Sequence, residues 1–584
     1  MAEQIFAEGK LPRIPHSFDG IQVNYCQNSN CKNFGVPASQ NRKDPNYKIT
    51  GIGKNESGIQ CKSCGRITSV KSNIAIHEEL TCISAPAYLS RAVRHKGYSC
   101  PNTLCKQYLL KVSSNPKAYL KRGKTSSGNQ KLQCKSCRKM FAVGSIKYRE
   151  RVLNLAGSHE LIMKNLVNFS PLNRLCEIAE TDMKSLYRKI DLIHEKCELF
   201  SRDRELQLPS MSLDRMQLST DRQEYIVNWT HRSDKRTTQI TAIATSDNGS
   251  GYAFGLNANF DERVSMYHMD TSDSYQRDLA QKVKAYHRCH ARVWTPDEED
   301  VANSTLLTTS RLPNPVFAEI SDTQQNSVDD RNLMEISFDN KIPSHGALVH
   351  SEYTQYAHFL RLSELIGHAG RLVFYTDLES GISNAINLAF QDKIAGDTAH
   401  HIFVKYDKTL TNDEREALSK ASNRQVKKLM KMCGYTRKES ECYYVSHALL
   451  EPTQMKGVQG TWYKHPIDRI NECNKYISFV KDIAADEWGL KVDLMQQAST
   501  YGVDSLFQQI RRRISMLERP ISSASKNRRI WAGSNPYNPE MVNKLLQIFR
   551  TYYNFCLKSK KDKRTPAERL SLAKGCVRIR DIIG

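Results

Sequence analysis

The sequence predicts a multidomain chain in which two small cysteine-knuckle units and a helical domain precede an α/β core with a mixed sheet. Three observations predict this order. Eight of the seventeen cysteines fall into two matched sets within the first 137 residues. From about Tyr148 to Phe200 the apolar residues keep a helical period. Farther on, the run Leu372-Val373-Phe374-Tyr375 ends at Thr376-Asp377 and gives way at once to a helical pattern, the signature of a buried strand feeding a helix. With 584 residues there is chain enough for three or four cores.

Composition narrows the function classes. Against 62 Asp+Glu stand 85 Lys+Arg, a formal net charge of +23. With a pI near 9.3, such a surface attracts polyanions, nucleic acid first among them. No apolar run approaches the roughly 18 residues a membrane span needs, and mean hydropathy is −0.57. The start MAEQIFAEGKLPRIP has no apolar signal segment. A soluble intracellular protein with no membrane partner is expected. In a reducing compartment an odd total of seventeen cysteines does not make a disulfide scaffold, so metal ligands and single buried thiols share them.

The amino-terminal cysteines are an internal duplication. Cys26-x4-Cys31 is followed after 29 residues by Cys61-x2-Cys64, and Cys100-x4-Cys105 after 28 residues by Cys134-x2-Cys137. Each set joins two knuckles across a loop rich in Lys, Asn, Gly and Ser, the way a tetrahedral thiolate site is assembled. Units this small have little apolar content, so a structural Zn2+ in each would supply much of the folding free energy. Four Cys leave no open coordination position, which argues against a catalytic zinc. His77 and Cys82 could substitute as ligands in the first copy, but the second copy has no counterparts. Residues 1–90 and 91–147 are therefore expected to be two zinc ribbons, with Lys117, Lys121, Arg122 and Lys124 on loops suited to phosphate contacts or to plain solvation.

Residues 148–205 read as three helices. Leu161, Ile162, Leu166 and Val167 make one face, Leu172, Leu175, Cys176 and Ala179 a second, and a third helix begins at Asp182 and turns Met183, Leu186, Ile190 and Ile193 inward. A short helix and a tight turn before a helix exposing Lys184, Ser185 and Arg188 match a helix-turn-helix whose last member enters the major groove. Helical packing with no role in DNA binding is the bland alternative.

The core is expected over 206–525, with insertions at about 261–343 and 407–495. Ser210 to Leu218 alternates polar and apolar residues as a strand does and contains Asp214; strands at Glu224–Thr230, Thr238–Ala244 and Gly251–Asn259 follow. Consecutive antiparallel strands with an acid on the first open a ribonuclease-H-like sheet. Asp377 then falls at the carboxyl end of a buried strand, where an open α/β sheet places its ligands. Taken alone, such an Asp starts a helix as often as it binds a metal. After His400–Lys405, the last core strand, a helix must bring a third acid. Asp504 at a helix start, with Arg511 two turns on, is one candidate, and Glu518 the other. Fourteen residues separate them, about 21 Å along a continuous helix, so both cannot serve one site. Residues 526–584 read as a basic helical tail.

From Cys100 to the end, through LDRMQLST, LVFYTDLESG, VDSLFQQIRRRISMLERPI, YNPEMVNKLLQIFRTYYNF and RTPAERLSLAKG, the chain resembles the transposases of bacterial insertion elements. These carry an acidic triad on a ribonuclease-H-like, retroviral-integrase-like core, here a mixed five-stranded sheet with helices on both faces. The resemblance implies that Asp214 and Asp377 are the first two acids. It implies Asp504 as the third, by its place before Ser505 and seven residues before Arg511, although the family usually has Glu there. Such carboxylates would hold two Mg2+ or Mn2+ ions, which serve hydrolysis at an element's ends and attack of the freed 3′-hydroxyl on a target. The resemblance also implies double-stranded DNA as partner, a homo-oligomer assembled on DNA, a bacterial cytoplasmic location at the nucleoid, and Arg511, Arg512 and Arg513 along the backbone. A zinc-ribbon DNA-binding regulator that has lost catalysis, or a two-metal DNA nuclease such as a junction resolvase, are the other readings.

Overall fold

The computed structural model describes residues 11–51, 57–84, 116–126, 130–143, 156–231, 233–264, 272–300, 341–407, 409–454, 460–518 and 534–583, with Cys100, Cys105, Gln107, Val112 and Met269. Two antiparallel three-stranded sheets come first. One is β1 (Tyr47–Gly51), β2 (Ser57–Cys61) and β3 (Ile67–Ser69), followed by α1 (Asn73–Ser84). The other is β4 (Tyr119–Lys124), β5 (Gln130–Cys134) and β6 (Met140–Val143). The expected boundaries near residues 90 and 147 lie outside the described residues.

Three helices follow, α2 (Ala156–Leu166), α3 (Leu172–Ile178) and α4 (Met183–Glu205). Asp182 caps α4 by accepting from the Ser185 amide at 2.9 Å. The stripe Leu186, Ile190, Ile193 and Cys197 packs against Ile162, Leu166 and Leu175 at one end. At the other end α4, which closes at Glu205 as the expected domain does, lies under α13 (Pro539–Phe555). There the buried Arg550 donates to Glu205 Oε1 at 2.6 Å and to the Phe254 carbonyl at 3.0 Å. The segment read as a tail is thus part of the core, with Leu545, Leu546 and Phe549 fully buried.

The central sheet has seven strands. They are β7 (Arg215–Val227), β8 (Thr238–Asp247), β9 (Ala253–Ala258), β12 (Arg371–Thr376), β13 (Ala399–Lys405), β14 (Tyr463–Lys464) and β15 (Tyr476–Phe479). Across the sheet their order is β14-β15-β13-β12-β7-β8-β9. β8 runs antiparallel to both β7 and β9, β12 is parallel to β7, and β13 is parallel to β12. The five strands expected become seven because β15 and β14, from the segment read as an insertion, add antiparallel beyond β13.

Side-chain alternation puts core on both faces. Leu372 and Phe374 meet α6 (Ser351–Ile366) and α7 (Ser380–Ala389), which the short α8 (Gln391–Ala395) follows. Val373 and Tyr375 meet α10 (Arg437–Ala448) and α11 (Trp488–Gln496). Ala242 and Ala244 of β8 face α12 (Tyr501–Arg513) and α13. The 261–343 insertion leaves and re-enters through a two-stranded neck, β10 (Phe260–Asp261) against β11 (Ala347–Leu348). It carries α5 (Asp273–Ala280), and its residues 301–340 lie outside the described residues. A second excursion, α9 (Asn412–Cys433) with α10, is a helical hairpin between β13 and β14. Among the described residues no helix is long and apolar enough to cross a membrane.

One local difference matters for the site. The strands expected at 210–218 and 224–230 are one continuous strand, β7, paired with β8 from Leu218↔Asp247 through Val227↔Thr238. The polar run Ser219-Thr220-Asp221-Arg222 looks like a break. It stays in the ladder because its hydroxyls find partners: Thr220 Oγ1 lies 2.7 Å from Thr245 Oγ1, and Ser219 Oγ donates to Asn248 Oδ1 at 2.8 Å.

Candidate metal centres

In each small sheet four thiols converge. Cys26 Sγ lies 3.5 Å from Cys64 Sγ and Cys31 Sγ 3.7 Å from Cys61 Sγ. In the second set Cys100 and Cys137 are 3.3 Å apart and Cys105 and Cys134 3.7 Å. Within each set all four sulfurs fall within 4.8 Å of one another. Thiolates about 2.3 Å from one ion stand near 3.8 Å apart in a tetrahedron, so either set could hold a zinc ion. His77 and Cys82 stand apart from them, His77 beside Asp19 at 3.1 Å and Cys82 near Asp261 at 3.6 Å. The duplication extends to the support. The Cys26 amide donates to Tyr47 Oη at 3.0 Å and the Cys100 amide to Tyr119 Oη at 3.2 Å. Tyr47 pairs with Cys61 in the ladder as Tyr119 pairs with Cys134. The first unit is docked on the core: Tyr25 Oη donates to the Asn387 carbonyl at 3.1 Å, and Asn387 Nδ2 returns a bond to the Gln27 carbonyl at 2.9 Å.

Apart from the two thiol sets, a cleft of about 920 Å³ opens beyond the carboxyl ends of β12 and β13, with Asp221, Glu379, Tyr406 and Asp504 among its lining residues. In the parallel register Thr376 stands opposite Thr220. The next residue on each strand is an acid, Asp377 on one and Asp221 on the other. Burial pushes the Asp221 carboxyl up to about 7, with the Glu379, Asp504 and Asp377 carboxylates adding to it and the Arg222 amide opposing. Glu379, just after β12, is gripped by Arg222, whose Nη2 donates to Oε1 at 2.7 Å and Nε at 3.1 Å. Glu379 Oε2 is buried and accepts no hydrogen bond among the described residues.

Asp504 comes from the first turn of α12, and its Oδ2 accepts from Thr500 Oγ1 at 2.8 Å and Tyr406 Oη at 3.2 Å. Burial and this carboxylate hold the Tyr406 phenol above its ordinary value, so it stays a donor. The helix reaches the cleft because Gly502 lets it touch the sheet. A Cβ there would sit 2.5 Å from Asn248 Oδ1 and 2.8 Å from Ser219 Oγ, atoms that accept the Gly502 and Val503 amides. Beneath it the buried Lys475 donates to Glu472 Oε2 at 3.0 Å, and Glu472 Oε1 accepts from Ser499 Oγ at 2.5 Å and the Thr500 amide at 3.2 Å, fixing the start of α12.

The expected site residues divide. Asp377 and Asp504 are both charges acting on Asp221. Asp214 is not with them: it is exposed, ahead of β7, and its carbonyl accepts from the Arg371 amide where β12 begins. Seven residues of extended strand put it about 23 Å from Asp221. Glu518 is exposed and lines the same cleft as Asp504. α12 ends at Arg513 and a short 3-10 turn, Ser515–Leu517, follows, so the two acids are not on one continuous helix. Arg511 lines the cleft and Arg512 is exposed. Arg513 is spent inside the fold, donating to Gln509 at 3.0 Å and Asn168 at 2.9 Å. Lys184 and Arg188 are exposed on α4 and Ser185 is half-buried.

Sequence reasoning missed Asp221, Glu379 and Tyr406. A signal for Asp221 was present: an expected strand runs into Thr220-Asp221 as another runs into Thr376-Asp377. Among the described residues only the two cysteine sets bring three or more ligand atoms within 4.8 Å of one another, so the three carboxylates do not form a cluster of that compactness. No family model, curated protein or solved structure matches the chain.

Proposed function

We propose that the protein is a DNA transposase, or an enzyme of the same chemistry, that cleaves and joins DNA strands with Asp221, Asp377 and Asp504 as its metal-binding acids. The observation that carries the reading is that Asp221 and Asp377 each follow a member of the registered pair Thr220 and Thr376 on adjacent parallel strands, with Asp504 on the helix across the cleft. The strand order β9-β8-β7-β12-β13, with the last three parallel, supports reading the core as ribonuclease-H-like.

Two Mg2+ or Mn2+ ions about 3.5 to 4 Å apart would supply Lewis acidity on both sides of an in-line displacement at phosphorus. The chain's own residues do the rest. Tyr406 and Thr500 orient Asp504, and Arg222 holds Glu379 beside Asp221. Arg511 at the cleft offers a cation to a phosphate. The two cysteine units and the exposed start of α4, read as a helix-turn-helix, would recognise duplex ends. Such an enzyme would work as a DNA-assembled homo-oligomer at a bacterial nucleoid.

The test is cleavage and strand joining of duplex DNA carrying the element's ends in Mg2+, with Asp377→Asn as control. Loss of both reactions with end binding retained supports the reading. A wild-type chain that binds duplex DNA and never cuts it would be a regulator instead.

A further inference from the structure

The α9–α10 hairpin carries a charge pattern that the cleft does not explain. From Asn423 to Lys438 the sequence has six cations, Arg424, Lys427, Lys428, Lys431, Arg437 and Lys438, and no acid. A helix face that is merely solvated mixes its signs; the ion pairs of this hairpin, Lys420 with Glu416 and Arg437 with Glu441, sit at the margins of the run. Ser419, Ser422 and Val426 turn inward from α9, whereas Arg424, Lys427, Lys428 and the whole tip from Lys431 to Glu439 are exposed.

The hairpin is built to hold its shape. Thr411 with Glu414 and Thr436 with Glu439 form capping boxes at the start of each helix, and Gly434 turns the chain in the left-handed conformation at φ 68°. Its base is at the cleft, where Arg415 is among the lining residues. Sixteen residues of helix separate Arg415 from Lys431, about 24 Å. At 3.4 Å per base pair that is the reach of about seven base pairs.

We infer that the tip of this hairpin is a second DNA-backbone clamp, holding duplex that runs out from the cleft. The clamp rests on the proposed action on DNA and adds a binding surface to it. Charge complementarity favours a polyanion, and continuity with the cleft favours the DNA that enters there over an acidic protein. Lysines suit phosphates, so the grip is independent of base sequence.

The test is the combined variant Lys427→Gln, Lys428→Gln, Lys431→Gln, Lys438→Gln in the full zinc-loaded chain, with duplex affinity measured from about 50 to 200 mM salt. Each phosphate that the variant no longer neutralises should flatten the slope of log K against log salt by about 0.9. A slope flatter by about 2 or more, with zinc content and helical signal unchanged, supports the clamp. An unchanged slope in the variant, when the wild-type chain binds and cuts DNA, overturns the clamp and leaves the proposed function standing. Wild-type failure to bind duplex overturns both. An unchanged slope with an altered oligomeric state by sedimentation assigns the surface to protein contact and overturns the clamp.

Discussion

Asp221 and Asp377 stand one step beyond the registered pair Thr220 and Thr376, on neighbouring parallel strands, so two carboxylates share one end of the sheet. Asp214, seven residues earlier, is at the other end. Asp221→Asn should reduce metal-dependent cleavage to background, because an amide does not offset the charge of divalent ions. Asp214→Asn should keep activity within a few-fold of wild type. Loss of activity in the second variant and not the first would reverse the assignment.

Gly502 is where α12 meets β7. Gly502→Ala places a methyl against Asn248 and Ser219, which should cost about 1–3 kcal/mol as an overpacked contact. It should also move Asp504. The urea midpoint reads the first effect and the Mg2+ concentration for half-maximal cleavage the second; an unchanged value for both would mean the helix sits farther from the sheet.

Stability should depend on pH through two buried histidines. His358, bonded to Thr245 at 2.7 Å and Asn257 at 2.8 Å, is held down to about 3 by burial and by Arg550, and burial alone brings His401 to about 3. In the unfolded chain both protonate near 6.5. Between these values the unfolded state binds more protons, so the stability is complete above about pH 6.5 and is lost as pH falls toward 3. His358→Gln, which keeps a donor and an acceptor, should flatten the decline between pH 6.5 and 4 in denaturant titrations. An equal slope would mean that other groups set it.

Elemental analysis should find about two zinc ions per chain. Cys61→Ser should remove one and lower the thermal midpoint, since the first unit is docked on the core through Tyr25, Gln27 and Asn387. Cys134→Ser should remove the other with a smaller shift, because the cluster around it is small and local.

Lys184→Ala with Arg188→Ala should weaken end binding at physiological salt by about tenfold or more while leaving zinc content intact, because both side chains are exposed and α4 packs through Leu186 and Ile190. Unchanged end affinity would place recognition elsewhere.

Local chemistry was legible in the amino acids themselves. The spacing of Cys26, Cys31, Cys61 and Cys64, repeated 73 to 74 residues on, specifies two four-thiol sites, since knuckle spacing and ligand geometry are short-range properties. The run from Leu372 to Tyr375 is a strand buried on both faces because four apolar residues leave no face for water. Which acid joins Asp377 was a different kind of question. It depends on the register between β7 and β12, segments about 150 residues apart, and that register is set by packing of Leu218 and Phe374 under α6 and by the hydroxyl partners of Ser219 and Thr220. A slide of the strand would preserve the composition of every segment and change every neighbour. The tertiary structure therefore decided that Asp221, which falls between the strands expected at 210–218 and 224–230, acts with Asp377, and that Arg513, read as a DNA contact, ties α12 to the turn after α2.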